Sequence, residues 1–87
     1  MTTSALRWTN RPLPGLFAVL FAETATGIVL DRTGARAVGD AERYLVFTNA
    51  DEAMRVAAAA IGARPDIECV VLCPDGSQHA VFRRAER

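Results

Sequence analysis

Residues 49–62 read NADEAMRVAAAAIG and carry the strongest secondary-structure signal in the chain. Asn49 is a residue type that caps helix N-termini, and Glu52, three positions later, can bond back to the cap amide. The alanine-rich run that follows favours a helix, and Gly62 predicts a stop near Ala60 or Ile61 because glycine accepts the left-handed cap conformation. This stretch therefore predicts one helix.

The apolar residues of this helix fall on a single stripe at helical spacing. The stripe consists of Ala53, Met54, Ala57, Ala60 and Ile61, widened by Val56 and Ala58. Alanine side chains are small enough to let a helix backbone lie close to a sheet. The helix is therefore expected to cover one face of a β-sheet.

Segments on both sides of the helix have the β-branched and aromatic composition of strands, separated by glycine- and proline-containing turns. The expected strands are residues 16–22, 28–31, 35–38 (weak), 43–48, 67–73 and 78–83. The first two are expected to form a hairpin. The predicted fold class is α+β, a four- to five-stranded antiparallel sheet with one helix on one face, in the order β-β-(β)-β-α-β-β.

A chain of 87 residues has room for a single small domain. Residues 1–15 contain Pro12 and Pro14 and show no strand or helix period, so we expect an extended N-terminal arm. The domain is expected over residues 16–84, followed by a tail at residues 85–87.

Charge and hydropathy argue against two classes of partner. Ten acidic residues balance ten basic ones, which removes the positive field that non-specific nucleic-acid binders use. The longest apolar run, residues 16–22, is far shorter than the roughly 20 residues that a membrane-spanning helix needs. A signal peptidase site near this run would place Glu23 or Leu20 where a small residue is required. We therefore expect a cytoplasmic protein that binds neither a membrane nor, as its main partner, nucleic acid.

The two cysteines, Cys69 and Cys73, are expected to be free thiols. Four positions apart in one strand, their Cα atoms would be roughly 13 Å apart, beyond the ~7 Å limit for a disulfide. Free thiols are typical of a reducing compartment, which agrees with a cytoplasmic location.

No catalytic site, cofactor site or metal site is predicted. The single histidine, His79, can face Cys73 across a hairpin, but Cys73 lies in an apolar strand that does not favour a reactive thiol. Motifs for nucleotide binding, zinc proteases and serine hydrolases are absent from the sequence. Two pairs of acids are explained by helix capping and by entry into a strand: Asp51 with Glu52, and Asp66 with Glu68.

Residues 16–22 are apolar on both sides of the expected strand. Phe17, Val19 and Phe21 alternate with Leu16, Ala18 and Leu20, so both sheet faces carry apolar side chains. One helix covers one face. The other sheet face must be covered by the arm with Trp8 folded back, by a second copy of the chain, or by a different protein.

These patterns favour a non-enzymatic protein-interaction module that forms a homodimer through the sheet face without the helix. The expected interface residues are Trp8, Leu16, Leu20, Val70 and Leu72. The alternative is a small nucleic-acid-associated regulator that uses arginines near both termini. Its expected contact residues are Arg7, Arg11, Arg83 and Arg84.

Overall fold

The computed structural model describes residues 5–83, so Arg84 and the expected tail lie outside the described residues. The elements are β1 (Ala5–Thr9), β2 (Phe17–Glu23), β3 (Tyr44–Phe47), α1 (Ala50–Ala63), β4 (Ile67–Leu72) and β5 (Gln78–Arg83). The five strands form one antiparallel sheet in the order β1-β3-β2-β4-β5. The predicted fold class, an α+β sheet with one helix packed on it, is confirmed.

α1 begins where the sequence predicts and ends later. The Asn49 side chain accepts a hydrogen bond from the Glu52 amide at 2.8 Å, which caps the first turn. Gly62 does not stop the helix; α1 continues to Ala63 and ends at Arg64, whose backbone is extended. The cause is Pro65, because a proline forces the residue before it out of the helical region. Within the described residues, no helix is long and apolar enough to cross a membrane.

The N-terminal segment contributes a strand. Ala5–Thr9 pairs with β3 and forms one edge of the sheet, where an arm outside the domain was expected. The ring of Trp8 lies 5.7 Å from the ring of Phe21, so burial of the indole helps to hold this strand in place. The two prolines lie beyond the end of β1, where they do not interrupt its pairing.

The expected hairpin of residues 16–22 and 28–31 is replaced by isolated bridges. Val29 makes one bridge to Ala22, and Leu30 makes another to Arg36. The Asp31 carboxylate binds the amides of Thr33 and Ala35 and so folds this segment into a turn. The sheet nevertheless has five strands because β1 replaces the strand expected at residues 28–31.

The sheet face beneath α1, here called the covered face, contains the densest core. Phe47, Val19, Val71 and Cys69 are completely inaccessible to solvent, as are Ala53 and Ala57 of α1. The half-buried members of the helical stripe pack against them: Met54, Val56, Ala60 and Ile61. Of the predicted stripe only Ala58 is exposed. The residues of β4 alternate between the two faces, with the odd-numbered ones buried on the covered face.

The face of the sheet opposite α1 is here called the open face. It is buried where it lies over β3. Since β1 and β2 are both antiparallel to β3, residues 10–16 must carry the chain back along β3. This connection adds no side chain to the buried cluster beneath α1, whereas Val46 on the open face is fully buried. We therefore place the crossing on the open face. Val46 and the neighbouring Ala18, which is 2% exposed, are buried in this part of the open face.

Candidate functional site

The apolar side chains of the open face continue beyond this cover onto β2, β4 and β5. In the ladders Leu20 lies opposite Val70, and Val70 lies opposite Val81, so these three side chains form one row. Leu72 belongs to the next row, opposite Ala18. Leu20, Val70 and Leu72 are half-buried, and Val81 is 39% exposed. We call these four residues the open-face patch.

One end of the open-face patch carries an ion pair. Glu68 and Arg83 lie opposite each other on β4 and β5, and the Arg83 Nη2 atom is 3.1 Å from Glu68 Oε1. The Glu68 side chain is only 18% exposed, while that of Arg83 is 59% exposed. An exposed pair of this kind stabilises the fold by about 0–1 kcal/mol. The open-face patch itself is uncharged, and this ion pair places one charge of each sign, Glu68 and Arg83, at its border.

Both edges of the sheet are irregular. The pairing of β1 with β3 shifts register between Ala5 and Arg7, and the pairing of β4 with β5 shifts register between Val71 and Leu72. Irregular edge strands resist strand-to-strand association with another sheet. The geometry therefore favours contact through the open face over contact through an edge.

The structure divides the five interface residues predicted from the sequence. Leu20, Val70 and Leu72 lie together on the open face. Leu16 is half-buried in the connection that precedes β2 and is outside the ladder. Trp8 pairs with Leu45 and packs on Phe21 of the covered face, so it is remote from the open-face patch.

Val81 is an interface candidate that the sequence reasoning missed. It is one of three exposed large hydrophobic residues within residues 7–83, and the only one of them in a strand. Ala80 and Phe82 pack against the core, which leaves Val81 on the other face. The period-two alternation of β5 contains this signal, because an apolar residue between two inward-facing residues must point outward.

The arginines predicted to contact nucleic acid do not converge in the described part of the chain. Arg7 lies on β1 and Arg83 on β5, at opposite edges of the five-stranded sheet. Four interstrand steps of about 4.8 Å separate these strands by roughly 19 Å. Arg7 and Arg11 line a surface cleft together with Asp40 and Glu42, which offset their charge.

Cys73 and His79 are close, as the hairpin predicted. The Cys73 Sγ atom lies 3.7 Å from His79 Nδ1, and the imidazole makes an edge-on contact with Phe17. Cys73 is half-buried and His79 is exposed. Both cysteines are free. A thiol and an imidazole alone lack the orienting third group of a catalytic triad.

Three of the four paired carboxylates, Glu52, Asp66 and Glu68, have an arginine partner. Asp66 binds Arg64 at 2.8 Å, and this guanidinium lowers the pKa of the Asp66 carboxyl. Glu52 binds Arg55 at 2.9 Å. Among the described residues, no three His, Cys, Asp or Glu side chains form a group suited to holding a metal ion. These contacts account for the acidic groups as stabilisers of the fold.

Comparison of the chain with protein-family models, with curated proteins and with solved structures gives no match.

Proposed function

We propose that this chain is a non-enzymatic protein-interaction module that self-associates through the open-face patch. The observation that carries the proposal is the row of Leu20, Val70 and Val81 across three neighbouring strands, extended by Leu72. Apolar side chains gathered on one exposed surface are typical of contact sites, whereas scattered ones need no explanation.

A second copy of the chain is the proposed partner because the patch is compatible with itself. In a twofold interface the same surface occurs on both subunits, so a charge close to the twofold axis faces its own copy. The open-face patch contains no charge. The Glu68 and Arg83 pair at its end supplies opposite signs, so Arg83 of one copy can approach Glu68 of the other without repulsion.

The energetics favour a modest dimer. A stable interface usually buries about 800 Å² on each partner, and four aliphatic side chains form only its centre. Half-buried side chains have also lost part of their exposed area before any contact forms. We therefore expect a dissociation constant of about 100 µM, which corresponds to about −5.5 kcal/mol.

A cytoplasmic location belongs to the same proposal. It is supported by the two free thiols, Cys69 and Cys73. The non-enzymatic assignment is supported by the single histidine and by the arginine partners of Asp66 and Glu52.

Sedimentation velocity with two matched variants tests the proposal. Val81→Asp places a charge in the open-face patch, and Val38→Asp places the same charge on a loop residue that is 78% exposed. From about 10 µM to about 1 mM, the wild type and Val38→Asp should dimerise, whereas Val81→Asp should remain monomeric. Leu20→Asp and Leu72→Asp should behave like Val81→Asp.

Circular dichroism of each variant establishes that it remains folded. A wild-type chain that stays monomeric at about 1 mM contradicts the proposal. So does a dimer that Val81→Asp and Val38→Asp weaken equally, because the contact would then lie elsewhere.

A further inference from the structure

A cleft of about 260 Å³ lies on the covered side of the sheet, where α1 ends. Trp8 and Phe21 give it an aromatic lining, with ring centroids 5.7 Å apart and planes tilted by 35°. Leu30, Ala60 and Ile67 contribute aliphatic walls. We call this space the Trp8 cleft; it lies on the face of the sheet opposite the open-face patch.

The size of the Trp8 cleft suits a small ligand. Apolar cavities of about 150 Å³ accept a benzene ring, and pockets for drug-sized ligands begin near 300 Å³. A volume of about 260 Å³ therefore fits a compound with one or two fused rings. Aromatic side chains contact such rings by stacking or edge-on packing.

Two arginines at the cleft have unused hydrogen-bond donors. Arg64 donates from Nε and Nη2 to Asp66, and its Nη1 atom lies 3.5 Å from the position that a Cβ on Gly34 would occupy. Arg32 donates from Nη1 to Glu42. Within the described residues, Arg64 Nη1 and Arg32 Nη2 have no hydrogen-bond acceptor.

Asp31, the acid among the residues that line the cleft, is bound by its own turn. Asp31 accepts hydrogen bonds at Oδ1 from the Thr33 amide, the Thr33 hydroxyl and the Ala35 amide. These bonds lower the pKa of the Asp31 carboxyl, which shows that the turn uses its charged form. The Ala60 carbonyl near the end of α1 accepts a hydrogen bond from the Arg64 amide. The Asp31 Oδ1 atom is therefore occupied by the turn, and the free donors at the mouth belong to Arg64 and Arg32.

The geometry points to the Trp8 cleft as a binding site for a small planar aromatic carboxylate. The ring would occupy the space beside Trp8 and Phe21. The carboxylate would accept hydrogen bonds from the free donors of Arg64 and Arg32, since a planar guanidinium matches a carboxylate in shape and charge. Gly34, at a φ of +90°, has no side chain to narrow the mouth.

An NMR titration of the ¹⁵N-labelled chain with three probes of similar shape tests this site. The probes are 1-naphthoate, 1-naphthylmethanol and 1-naphthylmethylammonium. We expect 1-naphthoate to give saturable shifts at the Trp8 indole, Gly34 and Ala60. The neutral and cationic probes should bind at least about tenfold more weakly, because they cannot accept the charge-assisted bonds.

Two pairs of variants locate the binding. Arg64→Gln should weaken 1-naphthoate binding about tenfold, and Arg55→Gln, which changes an exposed arginine of α1 outside the cleft, should not. Ala63→Leu fills the cleft from its rim and should abolish binding, whereas Ala58→Leu lies outside the cleft and should have no effect.

Equal binding of all three probes, or tighter binding of the ammonium probe, overturns the proposed ligand class. Absence of saturable shifts with 1-naphthoate at about 5 mM overturns the site itself. Val81→Asp should leave the titration unchanged, so failure of this inference is distinguishable from failure of the proposed dimer.

Discussion

Val70 and Val71 are neighbours in β4, yet they have different surroundings. Val71 points to the covered face and is completely buried, while Val70 points to the open face and is half-buried. The same residue type in the same strand thus differs only in what lies above it. For Val71 this is α1, whereas the cover on the open face lies over β3.

On the open face, too, the burial of valine side chains differs from one strand to another. Val46, in the region crossed by residues 10–16, is fully buried, and Val81, three strands away, is 39% exposed. An apolar pattern on a strand therefore indicates that a face favours burial without identifying the element that buries it. The part that remains accessible after intramolecular packing is the part available to a partner.

The largest difference between the faces is expected from matched valine substitutions in β4. Val71→Ala should lower the free energy of unfolding by about 2–3 kcal/mol, because it removes two buried methyl groups and leaves a cavity. Val70→Ala should cost about 1 kcal/mol, since its side chain keeps solvent contact in the monomer. Urea denaturation at about 5 µM measures both values below the range of dimer formation.

Repeating these measurements at high protein concentration sharpens the comparison. If the open face forms the dimer, the loss of unfolding free energy caused by Val70→Ala should increase with protein concentration. The loss caused by Val71→Ala should stay constant, because dimer formation stabilises this variant and the wild type equally. Equal costs for the two substitutions at low concentration would show that the open face is as well packed as the covered face.

The Cys69 thiol should react about 100-fold more slowly than it would at its ordinary pKa. Burial, with a smaller effect of the Glu68 charge, raises the pKa of Cys69 from 9.0 to about 11. Two pKa units correspond to about a 100-fold lower thiolate fraction at neutral pH. Iodoacetamide at about pH 8 should label Cys73 first, as measured by mass spectrometry of peptides. Rapid labelling of Cys69 in the folded chain would show that the covered face opens.

The raised pKa of Cys69 also has a consequence for stability. The folded state holds the thiol proton more tightly than the unfolded chain does, so ionisation favours unfolding. This contribution is complete below pH 9.0 and is lost as the pH rises towards about 11. The decrease should be smaller in Cys69→Ala, and urea denaturation across this pH interval checks it.

A smaller effect is expected at the helix that closes the covered face. Asn49→Ala removes the acceptor for the Glu52 amide and should cost about 1 kcal/mol of unfolding free energy. Asn49→Asp is the matched control, because a carboxylate also caps a helix and complements its dipole. Urea denaturation measures both variants. An Asn49→Ala variant as stable as the wild type would show that packing alone holds the first turn.

Part of the candidate site could be predicted from the sequence. Alternation in residues 67–73 placed Val70 and Leu72 opposite the helix, and the capping residue Asn49 located the start of α1. These features depend on contacts between residues near each other in the chain. The strand at Ala5–Thr9 could not be predicted in this way, because its partner β3 lies more than 30 positions further along.

The placement of Trp8 illustrates the same limit. The sequence shows one tryptophan in a polar segment and favours an anchor on the open face. The structure places it beside Phe21, because pairing with Leu45 turns the indole towards the covered face. Its contribution to the cleft with Arg64 and Gly34 depends on three segments that meet only in the folded chain.

The sequence by itself determined the α+β class, the helix start and the apolar character of both sheet faces, because these follow from local propensity and period-two alternation. Tertiary structure decided which parts of each sheet face are buried and that β1 completes the sheet. It also decided that Val81 lies in one row with Leu20 and Val70. Strand order and register decide these features, since they bring together residues whose separation in sequence carries no local signal.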